Sequence, residues 1–218
     1  MKKIIRDHSW FYILFLIFIM TGTIHLLLTS KGALVLWMNQ RHTSFLDWFF
    51  VNATRLGEGI VFATVMIFLL FIRFRFFLFL GISYAMSVGI TQLLKHTVFD
   101  SITRPSIYFS NVDLYVVDGI QLHGSNSFPS GHTAAAFALL FSLSLITKNK
   151  LLQIIFCSLA FACALSRVYL AQHFFEDVYT ASLLSVFITT MLFYFFSPHG
   201  KNKSSWLDNS ILNLTTKK

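Results

Sequence analysis

Six long apolar stretches, separated by polar connections, dominate the chain. They cover residues 10–28, 57–73, 76–95, 131–147, 151–168 and 176–196. Each approaches the roughly 20 mostly apolar residues that an α-helix needs to cross the hydrocarbon core of a bilayer. The pattern predicts an all-α protein, built as a polytopic bundle of six transmembrane helices.

The connections predict how the domain is organised. Residues 32–55 mix aromatic and aliphatic side chains with charged ones, a composition typical of short helices in the membrane interface. Residues 96–128 form the longest polar connection. We predict a single integral membrane domain over residues 1–200, followed by a polar cytoplasmic tail over residues 201–218.

The composition excludes a water-soluble globule. Of the 218 residues, 56% are hydrophobic and 12% are charged, whereas soluble domains carry about 25% charged residues. The net charge of +8 does not indicate nucleic acid, because the Lys and Arg residues stand at the ends of apolar stretches rather than in one patch. We predict the lipid bilayer as partner and no nucleic acid; the sequence leaves the oligomeric state open.

The distribution of Lys and Arg also predicts the orientation. Eleven of these residues lie in the N-terminal segment, near residues 73–75, near residues 148–150 and in the tail, and six lie in the alternate connections. Because the more basic side is cytoplasmic, we predict that both termini lie inside and that residues 96–128 face the exterior. The first apolar stretch lacks an Ala-x-Ala-like exit, which favours a retained span over a signal peptide.

Polar residues from four separate segments collect at the predicted exterior ends of the spans. Ionisable groups close to a membrane span usually face the bundle interior and mark a functional site. The set consists of Lys95, Arg104, Ser130, Gly131, His132, Arg167, His173 and Asp177.

The chemistry of this set suits a phosphate ester. Guanidinium and ammonium groups bind non-bridging phosphate oxygens, and Gly131 allows the amides of a helix N-terminus to approach an anion. His173 and Asp177 are four residues apart, on one helix face. The carboxylate can therefore accept the Nδ1 proton and leave Nε2 as a nucleophile, with His132 as general acid. No metal or cofactor is required.

Each element also has a structural interpretation. A Ser-Gly-His at a helix start is usually an N-cap, a His/Asp pair is commonly a structural hydrogen bond, and an isolated arginine can be an interface anchor. The convergence of all of them favours function. The other histidines are predicted to be structural or solvent-exposed: His8, His25, His42, His96, His123 and His199.

Two motifs carry a resemblance to a known family. Pro129-Ser130-Gly131-His132, followed by Ser166-Arg167-x5-His173-x3-Asp177, resembles the type 2 phosphatidic-acid phosphatase superfamily. The resemblance implies that His173 forms a phosphohistidine intermediate, that His132 is the acid and later the base, and that Asp177 orients His173. It implies phosphate binding by Arg104, Arg167, Lys95, Ser130 and the Gly131 amide.

One motif departs from the family pattern. The family places six residues between its lysine and Arg-Pro, whereas eight residues separate Lys95 from Arg104. Seven steps along a helix return to nearly the same face, but nine steps reach the opposite one. We therefore predict that the helix breaks near Asp100-Ser101 and that Arg104 is extended before Pro105.

A site at the membrane surface favours a lipid substrate over a soluble one. The resemblance implies a bacterial inner-membrane lipid phosphatase, with undecaprenyl pyrophosphate, lipid A or phosphatidylglycerol phosphate of the outer leaflet as candidate substrates. Two alternatives stay open: a lipid phosphotransferase that uses the same intermediate, and a non-catalytic transporter or binder of anionic lipids.

Overall fold

The computed structural model describes residues 6–196 and 205–212, and the regular elements within them are all helical. The all-α prediction is therefore confirmed. The helices are α1 Ser9–Leu28, α2 Ala33–Asn39, α3 Ser44–Thr54, α4 Gly59–Ile72, α5 Phe74–Thr97, α6 Pro105–Tyr108, α7 Gly131–Ile146, α8 Lys150–Tyr169 and α9 Phe175–Phe196, with short 3₁₀ helices at Arg55–Gly57 and Ser205–Asp208.

Among the described residues, four helices are long and apolar enough to cross a bilayer on their own, which makes this a multi-pass membrane protein. They are α1, α5, α8 and α9. The segment Ser44–Gly57 and α4 pass the same test together, but they are bent by 55° at the break between them. Helix α7 is apolar but has only 16 residues. The predicted count of six spans is therefore not confirmed, although each predicted stretch contains a helix.

Helix α7 forms the centre of the bundle and packs against α5, α8 and α9. Most of its side chains are buried, among them four alanines that let neighbouring helices approach closely. Phe137 and Phe141 fill the space toward α1, where Phe141 lies 4.3 Å from Phe11 between ring centroids. Because α7 is surrounded by protein, its N-terminal residues are held at a fixed position relative to α5 and α9.

Residues 32–55 form the short helices α2 and α3, and these helices hold the long connection between α5 and α7. Asn39 donates to the Tyr115 carbonyl at 2.8 Å and accepts from its amide at 3.0 Å. The hydroxyls of Tyr115 and Tyr169 both donate to the carboxylate of Asp47. These bonds join the connection to α2 and α3, and they join α3 to α8.

The described part of the predicted tail contacts the turn between α4 and α5. Arg75 donates from Nε and Nη2 to the two carboxylate oxygens of Asp208, each at 3.0 Å. At the start of α8, Gln153 donates to the carbonyl of Asp7, so the N-terminal end of α1 lies by the α7–α8 turn. The distribution of Lys and Arg residues likewise assigns the N-terminal segment, these two turns and the tail to one side of the membrane. The rest of the tail lies outside the described residues.

Candidate active site

A cavity of about 550 Å3 lies where the ends of α5, α7 and α8 meet the long connection. Six of the eight predicted site residues line it: Lys95, Arg104, Gly131, His132, Arg167 and His173. The remaining two, Ser130 and Asp177, are fully buried. Among the described residues, three cations and no carboxylate line the cavity, which suits an anionic ligand.

His173 and Asp177 form a buried pair at the wall of the cavity. His173 Nδ1 lies 3.1 Å from Asp177 Oδ2. The same carboxylate oxygen accepts from the Phe174 amide at 3.0 Å and from the Ser127 hydroxyl. Since a carboxylate accepts hydrogen bonds, this arrangement favours the tautomer with the proton on Nδ1 and a lone pair on Nε2.

The surroundings keep the imidazole of His173 neutral. Burial, followed by the positive charges of Arg104 and Arg167, lowers the pKa of His173 well below its ordinary value of 6.5. A lowered pKa favours the uncharged ring at neutral pH. The geometry and the pKa therefore both favour a histidine that can act as a nucleophile.

Arg104 is held by the backbone around it. Its Nε donates to the Ser125 carbonyl at 2.8 Å, and its Nη1 donates to the Gln172 carbonyl at 3.0 Å. Helix α5 ends at Thr97, a few residues before the predicted break, and Arg104 is extended with φ −87° and ψ 167°. The break lets Lys95 and Arg104 line the same cavity despite their longer spacing.

Arg167, in the last turn of α8, is held by a hydrogen bond to a different segment of the chain. Its Nη1 donates to Thr54 Oγ1 at 2.7 Å, which ties it to the end of α3. Its Nε is buried and has no hydrogen-bond partner among the described residues. Arg167 also lines the cavity, so its guanidinium can contact a ligand there.

The start of α7 combines a helix cap with a wall of the cavity. Ser130 Oγ accepts hydrogen bonds from the amide and the hydroxyl of Thr133, at 3.4 and 3.0 Å. The Ser130 amide donates to the Asp177 carbonyl at 3.1 Å, which joins α7 to α9. Gly131 lines the cavity, whereas Ser130 does not, so the N-cap interpretation describes the observed contacts of Ser130.

Several residues at the site were not singled out from the sequence. Thr54, Ser127 and Gln172 hold the predicted residues in place, and no local pattern distinguishes them from other polar residues. His96 and His123, predicted to be structural or solvent-exposed, line the mouth of the cavity. Their exposure agrees with the prediction, but the sequence did not predict that they lie at this cavity.

A metal site has no support in the described residues. Within residues 6–196 and 205–212, no three His, Cys, Asp or Glu side chains converge as metal ligands. Chemistry without a metal or cofactor stays a prediction.

Two solved structures share this fold. The crystal structure of LpxE from Aquifex aeolicus has a TM-score of 0.67 and 26% identity, covering 75% of this chain and 94% of that one. The PAP2 type phosphatidylglycerolphosphate phosphatase from Bacillus subtilis has a TM-score of 0.60 and 18% identity, covering 90% of this chain and 99% of that one.

The sequence comparisons give the family. No curated protein matches the chain. The sequence profile of the PAP2 superfamily matches residues 76–201, more than half of the chain. That range contains all eight predicted site residues. The chain belongs to the PAP2 superfamily.

Proposed function

We propose that this protein is a membrane lipid phosphatase that hydrolyses a phosphate monoester or pyrophosphate on a lipid of the outer leaflet. The observation that carries the proposal is the His173–Asp177 contact of 3.1 Å at a cavity lined by Lys95, Arg104 and Arg167. Membership of the PAP2 superfamily supports the same reaction class.

The first step transfers the phosphoryl group to the protein. The three cations bind the non-bridging oxygens and stabilise the charge that spreads over them in the transition state. Nε2 of His173 attacks the phosphorus while the bond to the leaving oxygen breaks, and Asp177 stabilises the resulting positive ring. His132 gives its proton to the leaving oxygen, so the lipid departs as an alcohol or, from a pyrophosphate, as a monophosphate.

The second step releases phosphate. His132, now neutral, accepts a proton from water as the water oxygen attacks the phosphorus. The bond between phosphorus and Nε2 breaks, and His173 returns to its neutral form. The buried position of His173 supports this order of steps, because burial favours the neutral imidazole. A neutral imidazole needs no proton removed before it attacks.

The predicted orientation places this cavity on the exterior side of a bacterial inner membrane, with both termini in the cytoplasm. The contact between Arg75 and Asp208 supports a common side for the α4–α5 turn and the tail. Undecaprenyl pyrophosphate, lipid A and phosphatidylglycerol phosphate are the substrates proposed, since each offers a phosphate at the outer surface.

The test measures phosphate release by the purified protein in detergent from a panel of these three lipids and phosphatidic acid. We expect release from at least one lipid, inhibition by vanadate as a transition-state analogue, and a loss of about 10⁴-fold or more in His173→Ala. His132→Ala should lose about 10²- to 10⁴-fold. Both variants should still bind the lipid.

Two outcomes of this test contradict the proposal. Phosphate that appears on an acceptor lipid instead of in solution identifies a phosphotransferase. Unchanged function in His173→Ala identifies a non-catalytic lipid binder, because a neutral imidazole contributes little to the binding of an anion.

A further inference from the structure

The cavity extends farther along α5 than a phosphate group requires. Its α5 wall runs from Gln92 through Val88 to Tyr84, a distance of about 12 Å along the helix axis. On the facing helix α7, Ala135 lines it one turn beyond Gly131. The three residues Tyr84, Val88 and Ala135 carry no charge and form a deep end, which we call the slot.

A pair of stacked rings closes the slot at its inner limit. Tyr84 and Phe62 of α4 have ring centroids 3.7 Å apart and an interplanar angle of 16°. Beyond this pair α4 and α5 are in close contact, since a Cβ on Gly81 would lie 2.9 Å from Met66 Cε.

Two exposed glycines lie in the parts of α4 and α5 nearer the cations. Gly59, at the start of α4, and Gly89, between Val88 and Gln92 on α5, each have open space where a Cβ would lie. Tyr84 and Val88 are only half-buried, so the slot is open on one side, where an apolar chain can lie.

From this arrangement we infer that the slot holds the part of the lipid chain next to the phosphate, and that Tyr84, Val88 and Ala135 determine which lipids fit. The inference rests on the proposed function and names the residues that would select the lipid substrate. Because a lipid tail is as well solvated by the bilayer as by apolar side chains, the slot contributes orientation rather than affinity. A chain held along α5 fixes the phosphate in line with His173 Nε2.

Two variants that narrow the slot from opposite walls test this inference. Ala135→Leu and Val88→Phe are assayed with the panel lipid that the parent hydrolyses fastest and with p-nitrophenyl phosphate, which has no chain. We expect the ratio of kcat/KM for the lipid to kcat/KM for the chainless ester to fall about tenfold or more in each variant, because a displaced chain misplaces the phosphate.

Ala85→Leu is the matched control. Ala85 is next to Tyr84 on α5 but is exposed on the outer face of the helix, so the same ratio as in the parent is expected. If the two slot variants keep the ratio of the parent, whether or not both rates fall, the proposed role of the slot is contradicted. The proposed phosphatase activity is not affected by that result. The proposed function itself fails if the parent releases no His173-dependent phosphate from any lipid of the panel.

Discussion

Gly57 lies against the backbone of His132 with no room for a side chain. A Cβ at this position would fall 2.6 Å from the His132 carbonyl oxygen and 3.0 Å from the His132 Cβ. The carbonyl is part of the first turn of α7 and cannot rotate away. Bringing that contact from 2.6 Å to an ordinary 3.4 Å requires a shift of about 0.8 Å. Gly57→Ala should therefore displace the proposed general acid without changing its chemistry.

A displacement of this size should cost about 10²-fold in the rate of lipid hydrolysis, since a misplacement of about 1 Å at a reacting group has that effect. The loss should be smaller for p-nitrophenyl phosphate, because its phenolate leaves without needing a proton. The assay compares kcat for the two substrates in Gly57→Ala and in the control Gly59→Ala. A Cβ on Gly59 meets nothing within 4 Å, so its rates should match the parent. Parental lipid hydrolysis in Gly57→Ala would refute the reasoning.

Three further predictions follow from the contacts of the site. Asp177→Asn should lower kcat about 10²- to 10⁴-fold, because the amide keeps the shape of the carboxylate but not the charge that stabilises a positive His173. Vanadate should still bind, and a loss of vanadate affinity as large as the loss of kcat would contradict this. Thr54→Val removes the 2.7 Å hydrogen bond that holds Arg167 and should weaken inhibition by phosphate about tenfold, which a titration of phosphate against activity checks. Since the pKa of His173 is lowered, kcat/KM should not fall near pH 6.5 through protonation of His173. It should change with the substrate's own ionisation, about pH 6, and with loss of the proton that His132 must donate.

The sequence predicted the elements because the length of an apolar stretch is a direct consequence of bilayer thickness. Helices α1, α4, α5, α7, α8 and α9 all begin and end within two residues of their predicted bounds. The bend between α3 and α4 was not predicted, since Gly57 and Gly59 permit a break but the packing of Gly57 against His132 decides its position. Helix α7 has nearly its predicted length, but its burial at the centre of the bundle was not predicted.

The candidate site was predicted because alternate helix ends must lie on the same side of a membrane. That argument brings together the cations and histidines that line the cavity. The extended Arg104 was predicted separately, from the longer spacing and the proline that follows it. It could not identify Thr54, Ser127 or Gln172, because a hydroxyl or amide acquires its role only from a partner distant in the chain. The contacts of Ser130 were also beyond it, since a cap and a phosphate ligand have the same sequence signature.

The most direct test of the account is to trap the phosphoryl group on the protein. The parent and His132→Ala are mixed briefly with labelled lipid phosphate, quenched in alkali and digested, and the labelled peptide is sequenced by mass spectrometry. We predict an acid-labile phosphoryl group on His173, and none on the same peptide of His173→Ala. A label on any other residue, or turnover of the lipid without a labelled histidine under conditions that resolve the first step, would contradict the central claim.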